Sequence, residues 1–223
     1  MTTHIIIADD HPLFRAALKQ AVQQAVSDAT VLEAESISTL QKLVEQHNDV
    51  DLILLDLNMP GAHGFSGLVF LRGQFPAVPV VVVSGMDNPQ VVPQSLDYGA
   101  SGFIPKSAPL STLVTAIQQI LEGEVWVPEG TQLRASRQAV QNSFSERLAE
   151  LTPQQFRVLS MLCEGLLNKQ IAYELEVSEA TIKAHITALF RKLGVRNRTQ
   201  AVIAMQQLDV GQASVEIDAA DED

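Results

Sequence analysis

The chain has 223 residues, of which 46% are hydrophobic and 5% aromatic, a length and composition that can supply the cores of two ordinary domains. The opening residues, MTTHIIIADD, show no basic region followed by a long apolar segment, and no apolar run approaches the roughly 20 residues that span a bilayer. The single cysteine, Cys163, excludes an internal disulfide. We therefore expect a soluble cytoplasmic protein without a signal peptide.

The net charge of −11, with histidine counted as neutral, would by itself argue against nucleic acid as a partner. The charge is unevenly distributed along the chain, however. Residues 1–150 carry −8, residues 151–208 carry +3, and residues 209–223 carry −6. A basic segment thus lies between two acidic ones, and the whole-chain value conceals it.

The first 121 residues alternate between short apolar segments and segments with helical periodicity. The apolar segments are rich in Val, Ile and Leu and predict strands at 4–9, 30–35, 51–56, 79–84 and 101–105. Helices are predicted at 12–26, 38–47, 65–74, 89–98 and 109–121. Pro12 suits a first helical turn, and Ser38 with Gln41 resembles a capping box. Because three strands are apolar without alternation, we expect an α/β doubly wound (βα)5 domain with one parallel sheet between two helical layers.

Polar side chains follow four of the predicted strands. Asp9 and Asp10 end the first strand, Asp56 ends the third, Ser84 ends the fourth, and Lys106 follows the fifth. Ligands of open α/β sheets bind beyond the carboxyl ends of the strands, so we expect these side chains to converge. Three clustered carboxylates repel one another and need a cation, and hard oxygen ligands with open water positions favour Mg²⁺. A metal-bound carboxylate beside a lysine and a hydroxyl is typical of a phosphoryl acceptor.

Four short motifs carry a resemblance to a known family. They are the Asp-Asp pair near the start, D-x-x-M-P-G at 56–61, S-G at 84–85 and G-A-x-G-[F/Y]-x-x-K at 99–106. Each motif alone is weak, but all of them in order at strand ends form a specific signal. Residues 4–121 therefore resemble a response-regulator receiver domain. The resemblance implies the strand order 2-1-3-4-5, which a receiver protein illustrates among doubly wound folds.

The resemblance also implies roles for individual residues. Asp56 corresponds to the phosphorylated residue and Lys106 to the phosphate-binding lysine. A Mg²⁺ ion would be held by Asp10, by Asp56, by the backbone carbonyl of Asn58 and, through water, by Asp9. The switch pair of the family corresponds to Ser84 and Phe103. Tyrosine is frequent at the second of these positions, and we expect Phe103 still to act as a switch by packing, although it lacks the hydroxyl.

Each of these residues also has a simpler interpretation when taken alone. A single aspartate after a strand is more often a helix cap or a turn residue, and capping is a real competitor for Asp10. Lys106 taken alone could be a solvated loop charge. We interpret His11 and His63 as solvated loop residues, because neither has a second metal ligand at a suitable spacing. The simpler interpretations become improbable for the complete set of strand-end residues.

Residues 122–150 mix Gly, Pro, Ser and charged residues, and this composition predicts an interdomain linker after a receiver domain at 1–121. Within the linker, TQLRASRQAV at 131–140 favours a short helix. Trp126 is expected to pack the end of the first domain onto its last helix, and a functional role for this side chain is the weaker interpretation.

Residues 151–208 predict an all-α, four-helix helix-turn-helix domain. Its helices are predicted at about 153–164, 168–175, 179–193 and 199–208. One face of the third helix is apolar and should be buried: Ile182, Ile186, Leu189, Phe190 and Leu193. Lys183, Thr187 and Arg191 recur every four residues on another face, with Ala184 beside them. A helix-turn-helix whose second helix carries such a basic face fits the major groove of DNA.

The segment LTPQQFRVLSMLCEGLLNKQIAYELEVSEATIKAHITALFRKLGVRNRTQAV closely resembles the LuxR-type helix-turn-helix over essentially its whole length. The resemblance implies that three side chains face bases: Lys183, Ala184 and Thr187. It implies phosphate contacts from four others: Lys169, Thr181, His185 and Arg191. Many relatives carry a longer polar residue at the position of Thr187, which leaves the operator sequence open. The competing interpretation is that the cations simply solvate the helix.

Together the two halves resemble a response regulator of the NarL/FixJ type rather than an enzyme. This class implies a sensor histidine kinase and double-stranded DNA as partners and a homodimer in the active state, without a membrane. Three alternatives are a phosphotransfer module that reads no DNA, a phosphorylation-independent DNA binder and a ligand-sensing quorum regulator. Val202 and Met205 are candidates for a dimer seam, unless both fill the domain core. The acidic tail, residues 209–223, is expected to be disordered.

Overall fold

The computed structural model describes residues 2–47, 49–86, 88–131 and 143–209. Two expectations lie outside the described residues. They are the helix at 131–140, of which only Thr131 is described, and the acidic tail beyond Asp209. Among the described helices, none combines the length and the apolar character that a membrane crossing requires.

A parallel sheet forms the centre of the N-terminal domain. Its strands are β1 (His4–Ala8), β2 (Thr30–Ala34), β3 (Val50–Leu55), β4 (Val80–Ser84) and β5 (Gly102–Pro105). Neighbouring strands are parallel, and their order is β2-β1-β3-β4-β5. Strand β4 is buried at every position, as expected for an apolar strand with both faces covered. The doubly wound fold and the strand order predicted from the sequence are confirmed.

Helices cover both faces of this sheet. They are α1 (Pro12–Ala25), α2 (Ile37–Gln46), α3 (Ser66–Gln74), α4 (Val91–Asp97) and α5 (Leu110–Leu121). Pro12 occupies the first turn of α1, where its missing N–H breaks no helical hydrogen bond. The capping box predicted at Ser38 is wrong, because Ser36 is the N-cap of α2 and its Oγ accepts the N–H of Thr39 at 3.2 Å. One apolar core lies under α1 and α5, and a second lies under α2 and α3.

The C-terminal part is built from helices. They are α6 (Ser143–Ala149), α7 (Pro153–Cys163), α8 (Asn168–Glu174), α9 (Glu179–Leu193) and α10 (Arg198–Gln206). Thr152 and Gln155 form a reciprocal capping box at the start of α7. Ser178 Oγ accepts the N–H of Thr181 at 3.1 Å and so fixes the start of α9. Helix α9 ends at Gly194, whose φ of 72° is a left-handed conformation that glycine adopts without strain.

The core under α2 and α3 continues into the C-terminal domain. Phe70 of α3 stacks on Phe156 of α7 with their ring centroids 4.3 Å apart. Beside this pair, Arg157 Nε of α7 donates a hydrogen bond to Gln41 Oε1 of α2 at 3.0 Å. Aromatic pairs of this kind contribute about 0.5–1.5 kcal/mol beyond the area they bury. The two domains are therefore docked through a shared apolar core with polar contacts at its margin.

Helix α10 buries one of the two residues that were expected at a dimer seam. Met205 is 1% exposed and belongs to the shared core, so this part of the expectation is wrong. Val202 is half-buried, whereas its neighbour Ile203 is among the more exposed apolar side chains. An apolar residue of a short helix can pack into the core of its own domain or against a partner, and Met205 packs into the core.

Candidate functional site

The parallel sheet brings the polar strand-end residues to one edge. Hydrogen bonds of the sheet continue into the loops and hold the backbone there: the Asp56 N–H donates to the Ala8 carbonyl oxygen at 2.8 Å, and the Lys106 N–H donates to the Ser84 carbonyl oxygen at 2.8 Å. The Asp9 N–H is held in the same way by the neighbouring strand β2. The side chains at these positions are thus placed by the rigid sheet and not by mobile loop tips.

Two of the carboxylates are buried around one lysine. The side chains of Asp9 and Asp56 are each only 1% exposed. Lys106 Nζ lies 2.7 Å from Asp9 Oδ2 and 2.8 Å from Asp56 Oδ2. A buried charge is costly without a partner, and these short contacts give both carboxylates a cation beneath the surface.

The lysine responds to this environment. Burial alone would lower the pKa of Lys106, but hydrogen bonds to Asp56 and Asp9 outweigh burial and raise the pKa above its ordinary value. Nζ also lies 4.9 Å from the centre of the Phe14 ring, a distance at which a cation is attracted to an aromatic face. Lys106 is therefore a fixed positive charge at neutral pH, oriented toward Asp56.

His11 belongs to the same cluster, which corrects its interpretation as a solvated loop residue. Its side chain is 63% exposed, but Nδ1 lies 2.8 Å from Asp10 Oδ1 and 3.3 Å from Asp9 Oδ1. Its backbone N–H also donates to Asp9 Oδ1 at 2.7 Å. Sequence reasoning missed this residue because it searched for ligand spacing within the chain, whereas the useful signal was its position directly after the two aspartates.

The side chains of this cluster are compatible with a divalent cation. Ligand atoms of Asp9, Asp10, His11 and Asp56 all lie within 4.8 Å of one another. The three carboxylates outnumber the one lysine, so the cluster keeps an excess of negative charge. Asn58, whose carbonyl was expected as a ligand, donates its backbone N–H to Asp56 Oδ1 at 3.3 Å. Oxygen-rich sites of this kind suit Mg²⁺.

The expected switch pair, Ser84 and Phe103, is buried. Ser84 Oγ accepts a hydrogen bond from the N–H of Met86 at 3.3 Å. The backbone N–H of Phe103 donates to the carbonyl oxygen of Trp126 at 2.9 Å. Trp126 packs against the core under α5 and also forms a parallel bridge with Gly102 of β5. The start of the linker is thus joined directly to the strand that carries Phe103.

The second candidate site is the outer face of α9. Ile182, Leu189 and Leu193 are buried against the other helices, which turns the opposite face outward. A shallow depression of about 440 Å³ on that face is lined by Lys183, Ala184, Thr187, Ala188 and Arg191. Lys183 Nζ lies 3.3 Å from Glu179 Oε1, an exposed pair that exchanges easily for another anion. This face therefore presents two cations, Lys183 and Arg191, to solvent.

The remaining candidates for nucleic-acid contact differ in their exposure to solvent. Lys169 on α8 is exposed. Thr181 is exposed, and its Oγ1 lies 2.8 Å from Ser178 Oγ at the helix cap. His185 is half-buried, so only part of its ring is accessible.

Two family models match the chain. The response regulator receiver domain matches residues 5–118, and the family described as bacterial regulatory proteins, luxR family, matches residues 149–205. The glycerol metabolism activator of Pseudomonas putida is 46% identical over 211 residues, covering 92% of this chain and 96% of that protein. The nitrate/nitrite response regulator protein NarL of Escherichia coli K12 is 33% identical over 205 residues, with coverage of 91% and 94%.

Solved structures give the same result. A structure of two RcsB dimers bound to two parallel DNAs is similar with a TM-score of 0.53 and 26% identity, covering 93% of this chain and 98% of that one. Both resemblances inferred from the sequence are thereby confirmed. The chain belongs to the response regulators that join a receiver domain to a LuxR-type DNA-binding domain.

Proposed function

We propose that this chain regulates transcription under the control of a sensor histidine kinase, which phosphorylates Asp56 and thereby changes DNA binding and dimerisation. The observation that carries the proposal is the place of Asp56 at the end of β3. Its buried Oδ2 lies 2.8 Å from Lys106 Nζ, in a chain that also exposes a basic face on α9. Because bacterial chromosomal DNA is the proposed target, the cytoplasm is the proposed place of action.

Mg²⁺ is the proposed cofactor. The excess negative charge and the short separations of the carboxylate oxygens support it. We assign direct ligation to Asp10, Asp56 and the backbone carbonyl of Asn58, and ligation through water to Asp9. When bound, the ion neutralises phosphoryl oxygens during transfer.

The side chains of the receiver domain then perform the transfer. An Asp56 carboxylate oxygen attacks the phosphorus of a phosphohistidine, the phosphorus–nitrogen bond breaks with its electron pair staying on nitrogen, and a phosphorus–oxygen bond forms. Lys106 pairs with a phosphoryl oxygen through a charge-assisted hydrogen bond. Asp56 is the acceptor in this step, and no external substrate is turned over, so we classify the protein as a regulator and not an enzyme.

The change then spreads from the phosphate to the linker. We propose that Ser84 Oγ leaves the N–H of Met86 and hydrogen-bonds a phosphoryl oxygen, and that the ring of Phe103 repacks behind it. The hydrogen bond from the Phe103 N–H to the Trp126 carbonyl oxygen supports a path from β5 into the linker. Movement of β5 would therefore pull on the segment that leads to the DNA-binding domain.

DNA is the proposed target of the α9 face. We propose base contacts from Lys183, Ala184 and Thr187. Phosphate contacts are proposed for four further residues: Lys169, Thr181, His185 and Arg191. Helix-turn-helix dimers bind two half-sites about one helical turn apart, and RcsB, a similar protein, binds DNA as dimers. We therefore propose a homodimer as the active state.

Intact-mass spectrometry tests the acceptor. Acetyl phosphate with Mg²⁺ should add one phosphoryl group to the wild type and none to Asp56→Asn. The matched control is Asp51→Asn, because Asp51 lies on the same strand at the opposite end, where its Oδ2 accepts the N–H of His4 at 2.8 Å. A phosphorylated Asp56→Asn variant would show that the acceptor is elsewhere, and phosphorylation without any change in DNA affinity would favour a phosphotransfer module.

A further inference from the structure

Thr187 differs from the other base-facing candidates because its hydroxyl group is already engaged. Its Oγ1 donates a hydrogen bond to the carbonyl oxygen of Lys183, about one helical turn earlier, at 2.9 Å. Threonine hydroxyls inside helices commonly bond back in this way. The hydroxyl proton is therefore engaged within the helix, which leaves the Cγ2 methyl and the Oγ1 lone pairs as the groups that this exposed side chain offers.

The surroundings of Thr187 are also methyl groups. Ala184 and Ala188 line the same depression, and the two cations, Lys183 and Arg191, complete its lining. None of the side chains of Ala184, Thr187 and Ala188 offers a free hydrogen-bond donor. The depression is thus apolar between two positive charges.

In the major groove, thymine alone presents a methyl group, and apolar contact from alanine or threonine is its complement. We infer that α9 reads a thymine through the methyl group of Thr187, with Ala184 and Ala188 forming the apolar floor beside it. Lys183 and Arg191 contact guanine or phosphate on either side. The inference rests on the proposed DNA-binding function and names the base that the site selects.

The competing possibility is that Thr187 Oγ1 accepts a hydrogen bond from the amino group of adenine or cytosine, because its lone pairs stay free. Two substitutions separate these possibilities. Thr187→Ser keeps the hydroxyl and removes the methyl, whereas Thr187→Val keeps a methyl and removes the hydroxyl. Thr187 is exposed, so neither change alters the core of the domain.

The DNA probe comes from selecting random-sequence duplexes with the full-length, phosphorylated protein. The most enriched duplex is resynthesised with each thymine replaced in turn by deoxyuridine, which lacks only the C5 methyl. At one thymine in each half-site we expect the wild-type affinity to fall about fourfold, the value of one buried methyl group. We expect Thr187→Ser to bind the two probes equally and Thr187→Val to discriminate between them as the wild type does.

The inference is overturned if deoxyuridine leaves the wild-type affinity unchanged at every position, or if it lowers the affinity of the wild type and of Thr187→Ser equally. Either result leaves the proposed function standing. If Thr187→Ser still discriminates between thymine and deoxyuridine and Thr187→Val does not, the hydroxyl group reads the base. This result also overturns the inference. Failure of the wild type to enrich any sequence overturns the proposed DNA-reading function, and the inference with it.

Discussion

Gly73 of α3 lies directly against Ala149 of α6, because a Cβ added at Gly73 would be 2.6 Å from Ala149 Cβ and closer still to the Ala149 carbonyl oxygen. That oxygen accepts a hydrogen bond from Gln74 Nε2 at 3.0 Å. On its other side α6 reaches α9, where Arg147 Nη1 donates to the Leu193 carbonyl oxygen at 3.1 Å. Helix α6 is thus held between the receiver helix α3 and the end of α9.

Gly73→Ala should undock the domains. The added methyl group has no space against the backbone of α6, and overpacking of this kind typically costs about 1–3 kcal/mol. We expect faster amide hydrogen exchange in α6 and a larger radius of gyration in X-ray scattering. The isolated receiver domain should be unaffected or slightly more stable, since alanine favours a helix over glycine by up to about 1 kcal/mol.

Gly67→Ala is the matched control on the same helix. A Cβ at Gly67 would meet only side chains of the receiver domain, Ile37 Cδ1 at 3.0 Å and Ala62 Cβ at 3.4 Å. The amide hydrogen exchange rates of α6 in the Gly67→Ala variant should match those of the wild type. Equal protection of α6 in both variants would contradict the close contact between Gly73 and Ala149.

Lys106→Met should destabilise the receiver domain in a pH-dependent way. Removing the lysine leaves Asp9 and Asp56 buried without their cation, which costs about 3 kcal/mol for a pair of this kind. The pKa of Lys106 in the folded protein is raised above its ordinary value of 10.5. Its contribution to the free energy of unfolding is therefore complete below pH 10.5 and is lost as the pH rises through the folded pKa.

Urea unfolding of wild type and Lys106→Met at neutral and strongly alkaline pH measures this contribution. The difference in unfolding free energy should be constant near neutral pH and shrink only above the ordinary lysine pKa. Lys19→Met is the control, because Lys19 pairs with Glu33 at 2.9 Å on the surface, where an ion pair contributes less than about 1 kcal/mol. If Lys106→Met lowers the unfolding free energy by as little as Lys19→Met does, the lysine does not stabilise the carboxylate cluster.

Asp10→Ala should weaken Mg²⁺ binding measured by titration calorimetry. Loss of a direct ligand should lower the Mg²⁺ affinity by more than the roughly tenfold decrease caused by removing an outer-shell partner. Asp49→Ala is the control, since its exposed carboxylate pairs with His4 Nδ1 at 2.8 Å at the opposite end of the sheet. If both variants bind Mg²⁺ like the wild type, the assignment of Asp10 as a ligand is wrong.

The parts of the fold that could be predicted from sequence are those with local signals. Apolar runs predicted each strand, and polar residues at their ends predicted the cluster around Asp56, because parallel topology then places them together. Gly73 could not be predicted, since its role depends on the distant residue Ala149 that lies against it. Met205 shows the same limit, because an apolar helical residue carries no mark that separates a core from a partner surface.

Lys183→Ala and Lys169→Ala should separate base reading from charge. Lys183 lines the α9 depression beside Thr187, so its loss should lower specific affinity by about 1–3 kcal/mol, the value of a base contact, and affect random DNA less. Lys169 is exposed on α8 and is a proposed phosphate contact, so its loss should weaken all sequences alike and reduce the slope of log affinity against log salt by about one. Fluorescence anisotropy across a salt series, with the selected and a scrambled duplex, measures both quantities. Equal loss on both duplexes for Lys183→Ala would place the base-reading face elsewhere on α9.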